Sequence, residues 1–186
     1  TSTIRSGNVI GGGDFSIDRI VPDCVRAIMD VKKSRLDRGQ INVRNPYSTR
    51  PYQHVLEPLF AYLMIAMKQY EDSSFADCYN VGSDDCDCVT TGDLVTMFCD
   101  EWNAGKNNTL PELSWRNQAE ESAPHEANFL KLDCSRIKSR FGWQPRWHID
   151  KAIEETVNWT KVWMSGADSK GIRTEIDREI QEYLKQ

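Results

Sequence analysis

The sequence has no apolar run close to the ~20 residues that a membrane-spanning helix needs, so we predict no transmembrane segment and no membrane partner. It also lacks a Gly-x-Gly-x-x-Gly fingerprint, a Walker phosphate loop, a Gly-x-Ser-x-Gly elbow and a Tyr-x-x-x-Lys pair. The known motifs therefore supply no complete set of residues for dinucleotide binding or catalysis. No signal peptide opens the chain, and it begins with Thr1 rather than Met, so we interpret this start as a cut.

Metal-binding and disulfide patterns are also scarce. The sequence contains six cysteines but no Cys-x-x-Cys pair, and Cys86 and Cys88 are too close together for a structural zinc knuckle. The three histidines, His54, His125 and His148, share no ligand spacing. We therefore predict free thiols in a reducing, cytoplasmic compartment and no metal site.

Charge is unevenly distributed along the 186 residues. The net charge is −5, yet residues 1–54 carry nine Lys or Arg and five Asp or Glu. The acidic balance of the whole chain argues against a nucleic-acid partner. Arg19, Arg44 and Arg50 lie at predicted turns in the basic first third, and guanidinium groups bind phosphates bidentately. Together these residues indicate a pocket for a small anion, although each arginine taken alone is more typical of a solvated turn.

Strand-like and helix-like segments alternate, which predicts an α/β fold. We predict strands at 4–10, 41–44, 78–81 and 113–115, and we expect the first one to lack neighbours within this chain. Predicted helices begin near Asp18, Pro58, Thr91, Asp133 and Asp150, and Gly39 is expected to break the chain before the strand at 41–44. The predicted buried faces are Ile20, Val21, Cys24, Val25, Ile28 and Met29 in the first helix, Leu94, Val95, Phe98 and Trp102 in the third, and Ile153, Val157 and Met164 in the fifth. A last amphipathic helix carries Ile172, Ile176, Ile180 and Leu184 at spacings of four. The helix after Pro58 has a predicted buried stripe formed by Leu59, Phe60, Leu63, Met64 and Met67.

Several motifs follow one another in a characteristic order. They are RSGNVIGGGD at 5–14, DRIVPD at 18–23, RNP at 44–46, RPYQHVLEP at 50–58, YNVG at 79–82, PHEA at 124–127, LKLD at 130–133 and FGWQP at 141–145. In this order the motifs resemble the extended short-chain dehydrogenase/reductase family of NAD-dependent epimerases and dehydratases, over about residues 4–164. The QHVLEP and PHEA stretches favour the branch of the family that acts on CDP-sugars.

The resemblance implies the C-terminal, substrate-binding part of an extended Rossmann-type fold, with the last sheet strand and a mainly helical lobe. We expect residues 1–165 to form the sugar-nucleotide-binding lobe and residues 166–186 to form a C-terminal amphipathic helix. The N-terminal NAD-binding domain, which carries the catalytic residues in this family, is expected to be missing from this chain.

The resemblance also implies a function for the complete enzyme. That enzyme would use NAD to convert CDP-glucose to CDP-4-keto-6-deoxyglucose in the biosynthesis of deoxysugars, such as those of O-antigens, and would form a homodimer. The present chain would bind the substrate, would hold no NAD and no catalytic residue, and would be inactive alone.

Individual site residues are implied by their positions in the matching motifs. Asn8 would contact the substrate phosphates, Arg19 and Ile20 would line the nucleotide, and Arg44 would lie under the base and ribose. Arg50 would be the main diphosphate arginine, while Asn80 and His125 would close the phosphate and ribose side. We interpret His54 as a buried structural histidine, and Trp115, Trp143 and Trp147 as packing residues.

Two alternatives remain open at this stage. The chain could be a stand-alone module that senses or carries a sugar nucleotide, or that docks a partner through its last helix. It could also be part of an NDP-sugar epimerase of the same fold.

Overall fold

The structure, a computed structural model, describes residues 1–34, 38–104, 111–119 and 131–186. Its strands are β1 (Thr3–Ser6), β2 (Asn8–Ile10), β3 (Arg38–Val43), β4 (Thr49–His54), β5 (Cys78–Val81), β6 (Cys88–Thr90) and β7 (Glu112–Asn117). Its helices are α1 (Ile20–Ser34), α2 (Leu56–Glu71), α3 (Thr91–Asn103), α4 (Ser135–Phe141), α5 (Ile149–Met164) and α6 (Ser169–Leu184). Short 3₁₀ turns occupy Ser73–Phe75 and Asp85–Asp87. The α/β prediction is confirmed.

The strands pair mostly in parallel. Parallel pairs form between β1 and β5, between β2 and β4, and between β3 and β7, while β4 and β6 run antiparallel. Parallel pairing requires long crossover connections, and helices such as α1 and α2 supply them. None of the described helices combines the length and the apolar character that crossing a bilayer requires.

The N-terminal strand differs from its prediction. The single strand expected at 4–10 is two strands, separated at Gly7, and both have partners within the chain. In β1, Ile4 pairs with Tyr79, and in β2, Val9 pairs with Gln53. The expectation that this segment lacks neighbours was wrong because the sequence pattern does not show which strands pair across long separations.

Buried apolar side chains form two clusters. The larger one joins α1, α3 and α5 to β3 and β4, and it includes Ile28, Phe98 and Val157, none of which is exposed. The smaller one lies between α2, β5 and α4 around Ala61 and Ile137. The predicted buried faces of α1, α3 and α5 are therefore essentially those observed.

Helix α2 has an apolar face that is not buried. The predicted stripe places Leu59, Leu63 and Met67 in the core, but these side chains are 47%, 66% and 65% exposed. Ala61 and Ile65 face the core instead. The helix contains more apolar residues than one buried face holds, so the periodicity did not determine which face packs inward.

Helix α6 is likewise turned differently from its apolar pattern. Ile176, Ile180 and Leu184 are 40%, 36% and 54% exposed, whereas Glu179 and Tyr183 are buried. Tyr183 packs edge-on against the rings of Phe60 and Trp147. The helix is thus held to the body of the protein by a polar and aromatic face.

Gly39 and the predicted helix starts require smaller corrections. Gly39, expected to break the chain before a strand, lies within β3, where a Cβ would come within 3.0 Å of side-chain atoms of Leu113 and Val31. The side chain of Thr90, rather than Thr91, caps α3 by accepting the Asp93 N–H.

Candidate functional site

The strand pair β2–β4 brings two of the predicted site residues close together. Asn8 is in register with Tyr52. Arg50, which was predicted to lie at a turn, instead lies within β4, two residues before Tyr52. Because alternate residues of a strand share a face and register partners lie side by side, Asn8 and Arg50 lie on one face of this pair. Arg50 is half-buried, and its Nη1 donates a 2.9 Å hydrogen bond to the carbonyl oxygen of Thr49. The guanidinium group is therefore positioned by the strand itself.

Arg44 and Arg19 lie at a second position, around the turn before α1. Arg44 directly follows β3, and its Nη2 lies 3.3 Å from Oδ1 of Asp18. Asp18 has a left-handed backbone with φ 58°, and Arg19 and Ile20 follow it at the start of α1. Ile20 packs, half-buried, against the larger core cluster, whereas Arg19 is exposed.

The ion pair between Arg44 and Asp18 is weakly held. Both side chains are more than three-quarters exposed, and exposed pairs of this kind contribute only about 0–1 kcal/mol. A ligand phosphate could therefore take the guanidinium group of Arg44 from Asp18 at small cost, which suits an arginine at the mouth of an anion site.

Asn80 lies at a third position, on β5. Its Nδ2 donates a 2.9 Å hydrogen bond to the carbonyl oxygen of Asp133. Asp133 belongs to the segment that follows residues 120–130, and His125 lies outside the described residues. The role assigned to His125 therefore stays a prediction.

A cavity of about 400 Å³ opens beside Asn80. Lys131 forms an ion pair with Asp85 there, and Lys138 forms one with Asp84. The hydrogen bond that Lys131 donates to Asp85 raises the pKa of Lys131, so the ammonium group keeps its charge. The cavity is lined by Ser83, Asp84, Asp85, Lys131, Leu132, Asp133, Cys134, Ser135 and Lys138.

These two lysines are not among the residues predicted from the sequence. Lys131 belongs to the LKLD motif that contributed to the family resemblance, so the signal was present but was not assigned to a site. Lys138 gives no such signal, because its place beside Asp84 depends on the packing of α4.

The glycine run after β2 has a packing role. A Cβ on Gly12 would lie 2.1 Å from the indole of Trp159. Gly13 has a φ of +83°, and a Cβ there would lie 3.5 Å from the same ring. Only glycine allows this approach of the backbone to α5. The loop is closed by Trp159 and so offers no cradle for the pyrophosphate of a dinucleotide.

His54 and two of the tryptophans are buried packing residues. His54 has no exposed surface and lies 4.9 Å from the ring of Trp147. Burial lowers the pKa of His54 to about 4, so it is neutral at physiological pH. Trp143 and Trp147 are 3% and 2% exposed, and Trp115 is half-buried, with its Nε1 donating to Thr96. The structural interpretation of these residues is confirmed.

Comparison with solved structures defines the class of fold. UDP-glucose 4-epimerase from Stenotrophomonas maltophila, with bound NAD and formylated UDP-arabinopyranose, matches with a TM-score of 0.65 at 15% identity, over 89% of this chain and 49% of that chain. dTDP-glucose 4,6-dehydratase from Bacillus anthracis in complex with NAD matches with a TM-score of 0.60 at 15% identity, over 85% and 43%. The fold is that of the C-terminal part of Rossmann-like epimerases and dehydratases, as predicted.

The sequence identifies a particular relative within this class. The chain is 38% identical over 184 residues to CDP-glucose 4,6-dehydratase of Salmonella typhimurium. The aligned region covers 98% of this chain and 46% of the relative. No protein-family model matches the chain. The chain is therefore similar to the C-terminal part of that dehydratase, and the predicted resemblance is confirmed. It spans about half the length of the relatives that it matches.

Proposed function

We propose that this chain is the nucleotide-sugar-binding part of a CDP-glucose 4,6-dehydratase. The complete enzyme would convert CDP-glucose to CDP-4-keto-6-deoxyglucose and water. The observation that carries the proposal is the 38% identity to the Salmonella dehydratase, which extends over 98% of the chain. The arginines at element ends support it, because a rigid frame with charged side chains at its edges is a common way to build an anion site.

The chain's own residues would bind and orient the substrate. Arg50, fixed on β4, and Arg44, released from Asp18, would hold the diphosphate by charge-assisted hydrogen bonds. Asn8, on the same face as Arg50, would donate its amide to a phosphate oxygen. Asn80 would help to close the site from the β5 side.

NAD, the cofactor that this fold class implies, would supply hydride transfer to the complete enzyme. The glycine run in the described part of the chain does not fit it, because Trp159 closes this run at Gly12. We therefore assign NAD binding to a polypeptide region equivalent to the part of the Salmonella relative that this chain does not span.

The exposed face of α2 is the surface that we assign to that NAD-binding region. Its side chains are Leu59, Tyr62, Leu63, Met67 and Tyr70, all at least 36% exposed. A groove of about 550 Å³ continues this face between α2 and β1, lined by residues such as Ile4 and Gln69. A contiguous apolar surface of this kind is typical of a protein interface. Its position beside the N-terminal strands suits a region that precedes them.

The assignment to a CDP-glucose 4,6-dehydratase also leads us to propose a cellular location, a pathway and an oligomeric state for the complete enzyme. We propose a cytoplasmic location, because all six cysteines are free thiols and such thiols persist in a reducing compartment. The complete enzyme would act in deoxysugar biosynthesis, for example of O-antigen sugars, and would form a homodimer.

A chimera tests the proposal. This chain replaces the matching 46% of the Salmonella dehydratase, and the chimera is incubated with NAD and CDP-glucose. We expect a keto product lighter than the substrate by one water, and no product from the present chain alone. NAD binding by the chimera controls for folding. A chimera that binds NAD but forms no keto product contradicts the proposal, and a 4-epimer of equal mass would indicate the epimerase alternative.

A further inference from the structure

Three side chains with metal-binding atoms converge where the second 3₁₀ turn meets α5. Nδ1 of His148 lies 3.1 and 3.2 Å from the two carboxylate oxygens of Asp87 and 3.7 Å from Sγ of Cys86. One ligand atom from each residue lies within 4.8 Å of the others. Asp87 is only 1% exposed, whereas Cys86 and His148 reach solvent. The cluster is therefore anchored inside the protein and open outside.

The separations are close to those of a tetrahedral zinc site. Zinc binds sulfur at about 2.3 Å and nitrogen or oxygen at about 2.0–2.2 Å, which places neighbouring ligand atoms roughly 3.3–3.6 Å apart. The distances from His148 to Asp87 and to Cys86 differ from these values by a few tenths of an ångström. All three ligand atoms lie within 4.8 Å of one another, so side-chain rotations would bring them towards these separations.

The carboxylate of Asp87 is held in place by the end of α5. Its Oδ1 accepts the backbone N–H of Ile149 at 2.9 Å, while Oδ2 is the oxygen slightly nearer Nδ1 of His148, at 3.1 Å. Metal ligands are commonly oriented by such outer hydrogen bonds. The site thus has one fixed ligand, a histidine on the residue before α5, and a cysteine on a short turn.

A catalytic relay does not explain the arrangement. In a Cys-His-Asp relay the thiol and the carboxylate contact opposite nitrogens of the imidazole ring. Here both contacts are made to Nδ1 of His148, so a single proton cannot serve Cys86 and Asp87 together. A cation in place of that proton would satisfy the sulfur, the carboxylate and the imidazole nitrogen at once.

We propose that Cys86, Asp87 and His148 form a binding site for a zinc-class divalent cation, with water as the fourth ligand. Mixed thiolate and imidazole ligands favour Zn²⁺ over Mg²⁺ or Ca²⁺. A bound ion would tie the turn at Asp85–Asp87 to the start of α5 and so stabilise the fold. No spacing in the sequence indicates this site, because His148 is 62 residues from Cys86. The proposal is independent of the substrate assignment.

Cobalt substitution tests this site in the full chain. Tetrahedral Co²⁺ with a thiolate ligand absorbs in the near ultraviolet and in the visible range, so titration reports both stoichiometry and sulfur ligation. We expect one equivalent to bind, Zn²⁺ to displace it, and Mg²⁺ to leave it in place. The thiolate band should disappear in Cys86→Ser, and cobalt affinity should fall at least about tenfold in His148→Ala.

Two other cysteine variants are matched controls. Cys78→Ser removes an exposed thiol on β5, and Cys88→Ser removes the neighbouring thiol; both should keep the band. No band in the wild type, or a band that persists in Cys86→Ser, overturns the proposal. A band lost in Cys88→Ser but not in Cys86→Ser overturns the ligand assignment. Circular dichroism of each variant establishes that it is folded.

Discussion

The hydroxyl of Tyr183 donates a 3.0 Å hydrogen bond to a carboxylate oxygen of Glu57, a residue 126 positions earlier in the chain. The other oxygen of Glu57 accepts the backbone N–H groups of Arg146 and Trp147 at 2.9 and 2.8 Å. Burial raises the pKa of Glu57. One buried carboxylate therefore joins the start of α2, the segment before α5 and the last helix.

We predict that Tyr183→Phe lowers the free energy of unfolding by about 1.5–3 kcal/mol, because a buried carboxylate loses a hydrogen bond while the aromatic packing is kept. Urea denaturation monitored by tryptophan fluorescence measures the change. Tyr70→Phe is the control, since Tyr70 is 94% exposed and its substitution should have no measurable effect. Equal effects of the two substitutions would contradict a structural role for this contact.

The approach of Gly12 to Trp159 gives a second prediction. Gly12→Ala would place a Cβ 2.1 Å from the indole ring, so the loop or α5 must move, and we expect a loss of more than about 2 kcal/mol of stability. Gly7→Ala is the matched control, because its Cβ would meet only ordinary contacts at 3.7 Å or beyond. Thermal unfolding of both variants measures the difference. A stable Gly12→Ala protein would mean that the glycine run is not held against Trp159.

Glu179 gives a prediction about pH. Its carboxyl is buried, and burial together with the nearby Glu155 and Glu175 raises the pKa of Glu179 to about 7, against the opposing charge of Arg178. The folded state therefore holds this proton more tightly than the unfolded state. The resulting stability is present below about pH 4.5 and is lost as the pH rises through about 7.

We therefore expect Glu179→Gln to be more stable than the wild type at pH 8 by about 1–3 kcal/mol, and most of this difference to disappear at pH 5. Asp177→Asn, at an exposed position of the same helix, should show no such dependence on pH. Urea denaturation at the two pH values measures both variants. A difference for Glu179→Gln that is the same at pH 5 and pH 8 would show that the carboxyl does not titrate in this range.

The exposed face of α2 can be tested by one substitution in two proteins. Leu63 is 66% exposed in this chain, so Leu63→Asp should change its stability by less than about 0.5 kcal/mol. In the chimera with the Salmonella N-terminal part the same substitution should reduce NAD binding or prevent assembly, because Leu63 would be buried there. Ile176→Asp, on the exposed face of α6, is the control and should affect neither protein. An active chimera with Leu63→Asp would contradict the assignment of this face.

The helices show which buried faces can be predicted from the local spacing of apolar residues and which cannot. The spacing of apolar residues identified the buried face of α3 correctly, because that face holds nearly all of the apolar residues of the helix. In α2 the apolar residues surround the helix, so only tertiary packing selects Ala61 and Ile65. Local patterns are informative where one face is clearly apolar and uninformative where several are.

Long-range contacts explain the other differences. Asp150 was expected to cap α5, but the N–H of Ile149 is accepted by Asp87, 62 residues earlier. The same distance along the chain hid the cluster of Cys86, Asp87 and His148. For the site, the order of the motifs selected Asn8, Arg44 and Arg50, and their role stays a prediction. The position of Arg50 within β4, rather than at the predicted turn, and the pairing of Arg44 with Asp18 required the folded structure.

The affinity of the chain for CDP tests the central claim most directly. With only part of the pocket wall present and the arginines partly exposed, we expect a Kd of about 0.1–1 mM, or roughly −4 to −5.5 kcal/mol. The affinity should weaken as salt is added, since partly exposed charges are screened.

Calorimetric titration of CDP into three proteins provides the measurement. Arg50→Ala should weaken binding at least about tenfold, because it removes a charge-assisted contact to the diphosphate. Arg38→Ala removes an arginine at the start of β3 that is 80% exposed and lies 3.4 Å from Glu112, and it should leave the affinity within about twofold of the wild type. Equal weakening by the two substitutions, or no CDP binding by the wild type at millimolar concentration, would contradict the assignment of Arg50 and with it the nucleotide-sugar site.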